Sequence, residues 1–219
     1  MAGLREDKKR RTRQAIADVA MRLFAERGFE AVTVNEIAQA AGVVKVTLFK
    51  YFPTKESLVL HALEDEDLAA IVRSRPAGET PLGALHAYMR AFATDPDIGD
   101  ADDLVARMKV IVDSPLLTAA VNRLQYGRRR ALARALSGDD DPDPPCRPAE
   151  GQGRGRDAGL AAELAAAQIS AVVLTVQETF FHRIASGTAL ADAGRLLLDD
   201  VDLAFDQLGN GLAGRFGPA

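Results

Sequence analysis

The sequence predicts an all-α protein of 219 residues with a helix-turn-helix unit near its N-terminal end. Apolar residues recur every three or four positions, which is the spacing of one face of an α-helix. No stretch alternates strictly between apolar and polar positions with β-branched residues, so no sheet is expected. Hydrophobic residues make up 47% of the chain, which is enough for a sizeable core. We expect a DNA-binding domain at residues 1–54 and a second helical domain at residues 55–219.

A basic segment leads into the first helix. Residues 5–13 read REDKKRRTR, and terminal charge runs of this kind are often only solvated. Beside a DNA-binding unit, Arg10 and the other cations at positions 8–11 would instead reach the DNA backbone or the minor groove. The helix that follows should end at Gly28. It has one apolar stripe, formed by Ile16, Val19, Ala20, Leu23 and Phe24.

Two short helices joined by a tight turn are predicted next. Thr33 and Glu36 form a capping box that should start the first of these helices. Gly42 can adopt the positive φ that ends it. The second helix should span residues 45–52, because Pro53 disfavours helical geometry in the residue before it. Two helices of this size around a glycine-containing turn are typical of a helix-turn-helix, whose second helix enters the major groove of DNA.

The second helix of this motif has two different faces, at about 100° per residue. The first face is expected to be a core face and consists of Val44, Leu48, Tyr51 and Phe52. The opposite face interleaves two cations with apolar side chains and consists of Lys45, Val46, Phe49 and Lys50. In a major groove the lysines would meet phosphates or guanine edges, and the apolar side chains would meet thymine methyls or sugars. A helical hairpin docked by this face on another helix is the alternative.

Residues 41–58, AGVVKVTLFKYFPTKESL, resemble the recognition segment of TetR-family transcriptional regulators, which is usually close to AGVSKGTLYRYFPSKEAL. The resemblance covers roughly the first 60 residues. It implies sequence-specific DNA binding, usually as a repressor. With the motif, it nominates as DNA-binding residues Arg10, Thr33, Val44, Lys45, Val46, Thr47, Phe49, Lys50, Tyr51 and Lys55.

Three positions depart from the family pattern. Val44 stands where many relatives have a capping serine, a loss of about 1 kcal/mol. Val46 replaces the usual glycine, and Phe49 replaces a tyrosine whose hydroxyl often meets a phosphate. The operator sequence therefore cannot be taken over from relatives.

A fourth helix is expected from about Lys55 to Arg73, capped by Thr54. Its N-terminal amides and Lys55 point to where a phosphate could bind. Further helices are predicted at 82–94, 102–113, 115–136, 159–186 and 189–208. The Pro/Gly/Asp-rich segment 137–158 is predicted to be a mobile loop.

The helix at 159–186 has two apolar stripes, and both should be buried. The first consists of Ile169, Val172, Val173, Val176 and Phe180, and the second of Leu160, Leu164, Ala167, Ala171 and Leu174. Its longest uncharged run, residues 164–177, should be too short to span a membrane. The last helix is expected to end at Gly209. In the resembled family these two helices pair with those of a second subunit, which implies a homodimer; the alternative is that they only complete a monomer core.

The resemblance also implies a pocket for a small, largely hydrophobic effector whose binding releases the protein from a palindromic operator. The lining candidates are Tyr88, Met89, Phe92, Met108, Val112, Tyr126, Gln177, Phe180 and Phe181, and for each of them a plain core position is the alternative. Residues 102–136 resemble regulators grouped with the mycofactocin regulator, which implies an acyl-CoA-like ligand. Arg128–Arg130 would then meet phosphates, or else form a solvated face.

The charge distribution places the nucleic-acid surface at the N-terminal end. Residues 1–60 have 11 Lys and Arg against 7 Asp and Glu, whereas the remainder has 16 against 24. A basic end on an acidic body is typical of a DNA-binding protein with a separate second domain. The single Cys146 excludes an internal disulfide framework. We expect no signal peptide and a cytoplasmic location.

An enzyme is the rival hypothesis from another class. The histidines, His61, His86 and His182, are not at metal-ligand spacing, and no nucleophile elbow or phosphate-binding loop is present. We therefore expect no catalytic residues, no metal and no cofactor. The remaining alternative is a ligand-independent, weakly sequence-specific DNA-binding protein, which would bind any duplex equally well at fixed salt.

Overall fold

Ten α-helices make up most of residues 2–63, 67–94, 101–138 and 153–211, the parts of the chain that the computed structural model describes. No strand occurs in these ranges, so the all-α prediction is confirmed. The helices are α1 (Ala2–Arg27), α2 (Val34–Ala40), α3 (Lys45–Tyr51), α4 (Ser57–Leu60), α5 (Leu68–Ser74), α6 (Pro81–Thr94), α7 (Ala101–Asp113), α8 (Pro115–Ser137), α9 (Gly153–Ala185) and α10 (Leu190–Asn210).

The basic N-terminal segment is helical. Helix α1 already begins at Ala2, so residues 5–13, which were expected to lead into the first helix, belong to it. The cations at positions 8–11 are exposed on this helix. Helix α1 ends at Arg27, and Gly28 follows with a φ of 84°, as predicted.

The chain divides into two compact units, and the first contains the helix-turn-helix. It comprises residues 1–66 together with 102–123. Its core is formed by apolar side chains of α1 to α4, joined by Val110, Ile111 and Leu117 of α7 and α8. The compact unit therefore extends past the predicted boundary at residue 55 and includes a later part of the chain. The functional division at that boundary stays a prediction.

The second unit comprises residues 67–101 and 124–219. Within it, α10 packs against both α6 and α9, and α5 packs against α6. Asp202 of α10 accepts hydrogen bonds from His86 and Arg90 of α6. Arg183 of α9 donates to both carboxylate oxygens of Asp200. These ion pairs fix the register of α10 against its two neighbours.

The predicted fourth helix is not continuous. Helix α4 is one turn long and is followed by a 3₁₀ turn at His61–Leu63, and a separate helix α5 begins at Leu68. The carboxylate of Asp67 accepts a hydrogen bond from the backbone N–H of Ala70 at 3.0 Å. A side-chain cap of this kind starts a new helix.

The ends of the last two helices also differ from the prediction. Helix α9 begins at Gly153, so residues 153–158 are helical, whereas residues 139–152 of the predicted mobile loop lie outside the described residues. Helix α10 continues through Gly209 to Asn210, and Gly211 closes it. Glycine at position 209 is tolerated inside the helix, at a cost of about 1 kcal/mol relative to alanine.

Among the residues that the structure describes, only one of the two apolar stripes of α9 is covered. The stripe from Ile169 to Phe180 is buried or half-buried. On the other stripe, Leu160, Leu164 and Leu174 are 60%, 54% and 37% exposed. By length and composition alone, Gly159–Ala185 could also cross a membrane, since an 18-residue window within it has a mean hydropathy of 1.7. The uncharged run 164–177, on which the expectation of no membrane span rested, is only part of this segment.

Candidate nucleic-acid interface

The capping box at the start of α2 is present as predicted. The hydroxyl of Thr33 accepts a hydrogen bond from the backbone N–H of Glu36 at 3.3 Å, and the carboxylate of Glu36 accepts one from the backbone N–H of Thr33 at 2.8 Å. The Thr33 hydroxyl also donates to this carboxylate, at 2.7 Å, and Arg27 donates to its other oxygen, at 2.8 Å. Hydrogen bonds from Thr33, and then from Arg27, lower the pKa of Glu36 to about 2.

The turn between α2 and α3 is built around Gly42. Its φ of 66° lies in the left-handed region, which favours glycine. The backbone N–H of Gly42 donates to the carbonyl of Gln39 at 3.1 Å, and that of Val43 donates to the carbonyl of Ala38 at 2.9 Å. These two bonds form a Schellman motif, which ends α2 sharply. The chain therefore enters α3 after only a few residues.

Val44 lies outside the core, contrary to the prediction. It is the N-cap residue of α3, has extended backbone angles (φ −79°, ψ 150°) and provides no side-chain cap. Its side chain is 69% exposed. The projection of 100° per residue holds only for helical residues, so it assigned this position to the wrong face. The missing cap itself was predicted correctly.

The opposite face of α3 points away from the core of its unit. Val46 is 80% exposed and Phe49 is 39% exposed, and Lys45 and Lys50 are exposed as well. The Nζ atom of Lys45 lies 5.8 Å from the centroid of the Phe49 ring. On the inner side, Leu48 and Phe52 are fully buried, whereas Thr47 and Tyr51 are half-buried. We call Val44, Lys45, Val46, Phe49 and Lys50 the outward face of α3.

Lys55 does not extend this face. Its ammonium lies 4.3 Å from the centroid of the Phe29 ring and donates to the carbonyl of Glu30 at 3.4 Å. Burial lowers the pKa of Lys55. Thr54 does cap the following turn, since its hydroxyl accepts from the backbone N–H of Ser57 at 3.2 Å. Helix α4 therefore begins two residues later than expected, and the side chain of Lys55 folds back into its own unit.

A partly buried polar contact, which the sequence did not predict, joins the start of α8 to the loop between α1 and α2. Ser114 is 1% exposed, and its hydroxyl donates to the carboxylate of Glu30 at 2.5 Å. The same hydroxyl accepts from the backbone N–H of Leu117 at 3.2 Å, so Ser114 caps α8. The hydrogen bond from Ser114 lowers the pKa of Glu30. A serine before Pro115 is a typical helix start and could have revealed the cap, though not its distant partner.

The effector candidates line neither of two grooves in the described part of the second unit. One groove, of about 380 Å³, lies between α9 and α10 and is lined by Ala171, Val172, Thr175, Val176, Thr179, Asp200, Leu203, Ala204 and Gln207. The other, of about 660 Å³, is lined by Ala93, Thr94, Leu190, Ala191, Gly194, Arg195 and Leu198. None of the nine predicted lining residues occurs in either set.

The nine candidates instead spread over different environments. Met89 and Phe180 are buried in the core, whereas Val112 and Tyr126 are 70% and 54% exposed. The half-buried candidates are Tyr88, Phe92, Met108, Gln177 and Phe181. Helical spacing identified apolar stripes correctly, but it does not distinguish a stripe that fills a core from one that borders a cavity. Within the described ranges, no group of three or more His, Cys, Asp or Glu side chains could hold a metal ion.

Comparison with known proteins gives a family match for the N-terminal helices. The model of the family described as "Bacterial regulatory proteins, tetR family" matches residues 16–62. The transcriptional regulator TcmR of Streptomyces glaucescens is 34% identical over 148 residues, which are 64% of this chain and 66% of TcmR. The mycofactocin biosynthesis regulator MftR of Mycobacterium tuberculosis is 33% identical over 127 residues, which are 56% of this chain and 62% of MftR. The chain thus covers less than two thirds of either relative.

The fold resembles that of two solved proteins along nearly its whole length. NalD, the secondary repressor of the MexAB-OprM multidrug efflux pump in Pseudomonas aeruginosa, superposes with a TM-score of 0.52 at 18% identity, covering 94% of this chain and 97% of NalD. SmeT, solved in complex with triclosan, gives the same TM-score at 21% identity, covering 95% of this chain and 97% of SmeT. At these identities the likeness concerns the fold alone.

Proposed function

The chain belongs to the TetR family of bacterial regulatory proteins, and we propose that it is a sequence-specific DNA-binding transcriptional regulator. The observation that carries this proposal is the outward face of α3. It displays two lysines and three apolar side chains that the first unit does not cover. Bases and phosphates in a major groove would cover both kinds of side chain.

The proposed contact residues differ in which part of the DNA they meet. Lys45 and Lys50 bind phosphates or guanine edges, and Val44, Val46 and Phe49 face the base edges. Arg10, on the exposed side of α1, reaches the DNA backbone. Thr47 and Tyr51, both half-buried, complete the edge of the interface. Thr33 and Lys55 support the motif from within the unit, because Thr33 caps α2 and the ammonium of Lys55 lies against Phe29.

The protein is proposed to act as a homodimer on a palindromic operator. One seven-residue helix contacts too little DNA to be specific, whereas two such helices related by a two-fold axis bind half-sites about 34 Å apart. The exposed stripe of α9 and the exposed Leu196 and Leu203 of α10 support pairing of these two helices with a second copy. Burial of both stripes of α9 in a dimer would account for its apolar composition, which is also that of a membrane-spanning helix. Since its target is genomic DNA, the dimer would work in the cytoplasm.

Repression relieved by a small, largely hydrophobic effector is the form of regulation that we propose. The helices of the second unit border apolar grooves, and these grooves have the size of small-molecule sites. Acyl-CoA thioesters form one ligand class to be tested, beside uncharged hydrophobic compounds. Thermal unfolding with a panel of both classes checks this proposal. An upward shift with one class, together with loss of DNA binding, is expected; no shift with any acyl-CoA would remove that class.

Genomic selection tests the proposed function most simply. The purified full-length protein is incubated with fragments of the genome of its source organism at physiological salt, and the bound fragments are sequenced. We expect a small set of fragments that share an imperfect palindrome, often next to the gene of the protein itself. Equal recovery of all fragments would contradict specific regulation and would favour a DNA-binding protein with little sequence preference.

A further inference from the structure

We propose that Val46 selects a thymine in each operator half-site by packing against the C5-methyl group of that base. This inference rests on the proposed function, because it requires duplex DNA on the outward face of α3. It concerns the chemistry of the base that this side chain contacts, which family membership does not determine, since position 46 is usually glycine in the segment that this chain resembles.

The exposed apolar side chains of the first unit are concentrated at one place. Among its described residues, five large apolar side chains are exposed, and three of them, Val44, Val46 and Phe49, lie within six consecutive positions. Val46 is the most exposed of the five, at 80%. A single exposed valine needs no explanation, but a cluster on one helix indicates a surface that a partner covers.

The chemistry of valine restricts what it can recognise on DNA. Its side chain can neither donate nor accept a hydrogen bond, so it cannot distinguish the donor and acceptor patterns of the bases. The apolar feature of base edges in the major groove is the C5-methyl group of thymine. Valine is also branched at Cβ and stiff at χ1. It therefore presents its two methyl groups in nearly one orientation, at little cost in side-chain entropy.

The neighbours of Val46 favour DNA over a protein as the occupant of this face. Lys45 and Lys50 are exposed on the same helix, and residues 1–60 have an excess of four positive charges. A polyanion complements this charge. Phe49 is only half as exposed as Val46, and its ring has the Lys45 ammonium 5.8 Å from its centroid. Val46 is thus the most exposed of the large apolar side chains described in the first unit.

Uracil substitution tests the inference, because uracil is thymine without the methyl group. The duplex enriched by selection is synthesised with thymine or with uracil at each position in turn, and dissociation constants are measured by fluorescence anisotropy at fixed salt. We expect one thymine in each half-site at which uracil weakens binding about fourfold, the equivalent of about 0.8 kcal/mol for one buried methyl-sized group. Specific binding that tolerates uracil at every position would overturn the inference.

The Val46→Ala variant tests whether Val46 is the contacting side chain. With it, the fourfold preference for thymine should fall to nearly onefold at the sensitive position, and Val46→Gly should behave in the same way. Leu116→Ala, which truncates another exposed apolar side chain of the same unit (57% exposed), should keep the full preference. A Val46→Ala protein that still prefers thymine fourfold would refute the assignment.

Controls separate failure of this inference from failure of the proposed function. Thermal unfolding of each variant establishes that the first unit is folded before DNA binding is measured. If no duplex is enriched at all, the proposed function is wrong, and the inference falls with it. If a duplex is enriched but the methyl group has no effect, only the inference is wrong. Capture of a protein on this face without DNA would also refute it.

Discussion

Glu36 ties the end of α1 to the start of α2, because its carboxylate accepts hydrogen bonds from both Thr33 and Arg27. Its pKa of about 2 has a consequence for stability. A carboxylate whose pKa is lower in the folded state stabilises the fold fully above its ordinary pKa of about 4.3, and this stabilisation is lost as the pH falls toward the folded value.

We therefore predict that Glu36→Gln removes a pH-dependent part of the stability. The difference in melting temperature between wild type and variant should be constant above about pH 5 and should shrink between about pH 4.5 and pH 2. Glu26→Gln, a change to an exposed carboxylate near the end of α1, serves as the control. Thermal unfolding followed by circular dichroism measures all three proteins. A wild-type minus variant difference that grows as the pH falls would contradict the prediction.

The uncapped start of α3 gives a second prediction at the residue scale. Val44 already has the extended backbone of an N-cap residue, and its side chain is 69% exposed, so little apolar burial is lost on replacement. Val44→Ser should therefore raise the free energy of unfolding by about 1 kcal/mol, measured in urea, because serine can accept a backbone N–H of the first turn. Val46→Ser, inside the same helix, should give no gain. A less stable Val44→Ser protein would show that the side chain of Val44 is packed.

Single residues show both the reach and the limit of prediction from sequence. The capping box, Gly42 and the exposure of Val46 follow from local chemistry and were predicted. Lys55 was not, because its contact with Phe29 joins residues 26 positions apart. Sequence spacing identifies a helix face, but it does not reveal which distant ring a flexible side chain will meet.

At the scale of elements, α3 should contribute a definite number of ionic contacts to DNA binding. Lys45→Ala and Lys50→Ala are each predicted to lower the slope of log Kd against log salt concentration by about 2, because each removes one phosphate contact from each of the two half-sites. Lys109→Ala, on α7 with an exposed ammonium paired to Asp113, is the matched control and should leave the slope unchanged. Identical slopes for all four proteins would exclude phosphate contacts from α3.

The corner between α7 and α8 is the second element with a measurable role. Ser114→Ala removes the cap of α8 and the hydrogen bond to Glu30, so it should cost about 1 to 2 kcal/mol of unfolding free energy. Ser137→Ala, at the exposed other end of α8, should cost much less. Chemical denaturation of both variants provides the comparison. Equal losses would mean that the hydrogen bond between Ser114 and Glu30 contributes nothing to stability.

The predicted helix boundaries were accurate where a local contact determines them and inaccurate elsewhere. The bounds of α2, α3 and α7 follow from local caps and periodicity and came within two residues of the structure. The predicted helix from 55 to 73 failed because the side chain of Asp67 caps a new helix that begins at Leu68. The start of α9 was placed too late, since Gly153 and Gly155 were assigned to a loop.

At the scale of the whole molecule, the second apolar stripe of α9 is exposed to solvent in a single chain. We predict that Leu164→Glu on the exposed stripe of α9 converts the dimer to a monomer at micromolar concentration, because it places a charge in the proposed interface. Leu116→Glu, at similar exposure on α8, should remain dimeric. Light scattering after size-exclusion chromatography gives both masses. A wild-type protein that is already monomeric would contradict the homodimer.

The periodicity of α9 predicted two apolar stripes, and the sequence could not decide what covers the second one. That decision depends on a partner rather than on local chemistry. The effector site raised the same difficulty, since its nine candidates were chosen from apolar stripes and none of them lines either groove. Cavities arise where stripes from several helices fail to meet, which no single helix determines.

The central claim, that the outward face of α3 lies against DNA bases, is tested most directly by cross-linking. Phe49 is replaced by p-benzoylphenylalanine, and the dimer is irradiated on its enriched duplex, with the same replacement at Leu116 as the control. The account predicts a cross-link from position 49 to a base within the half-site and none from position 116. Specific binding of the duplex without a cross-link from position 49 would contradict it.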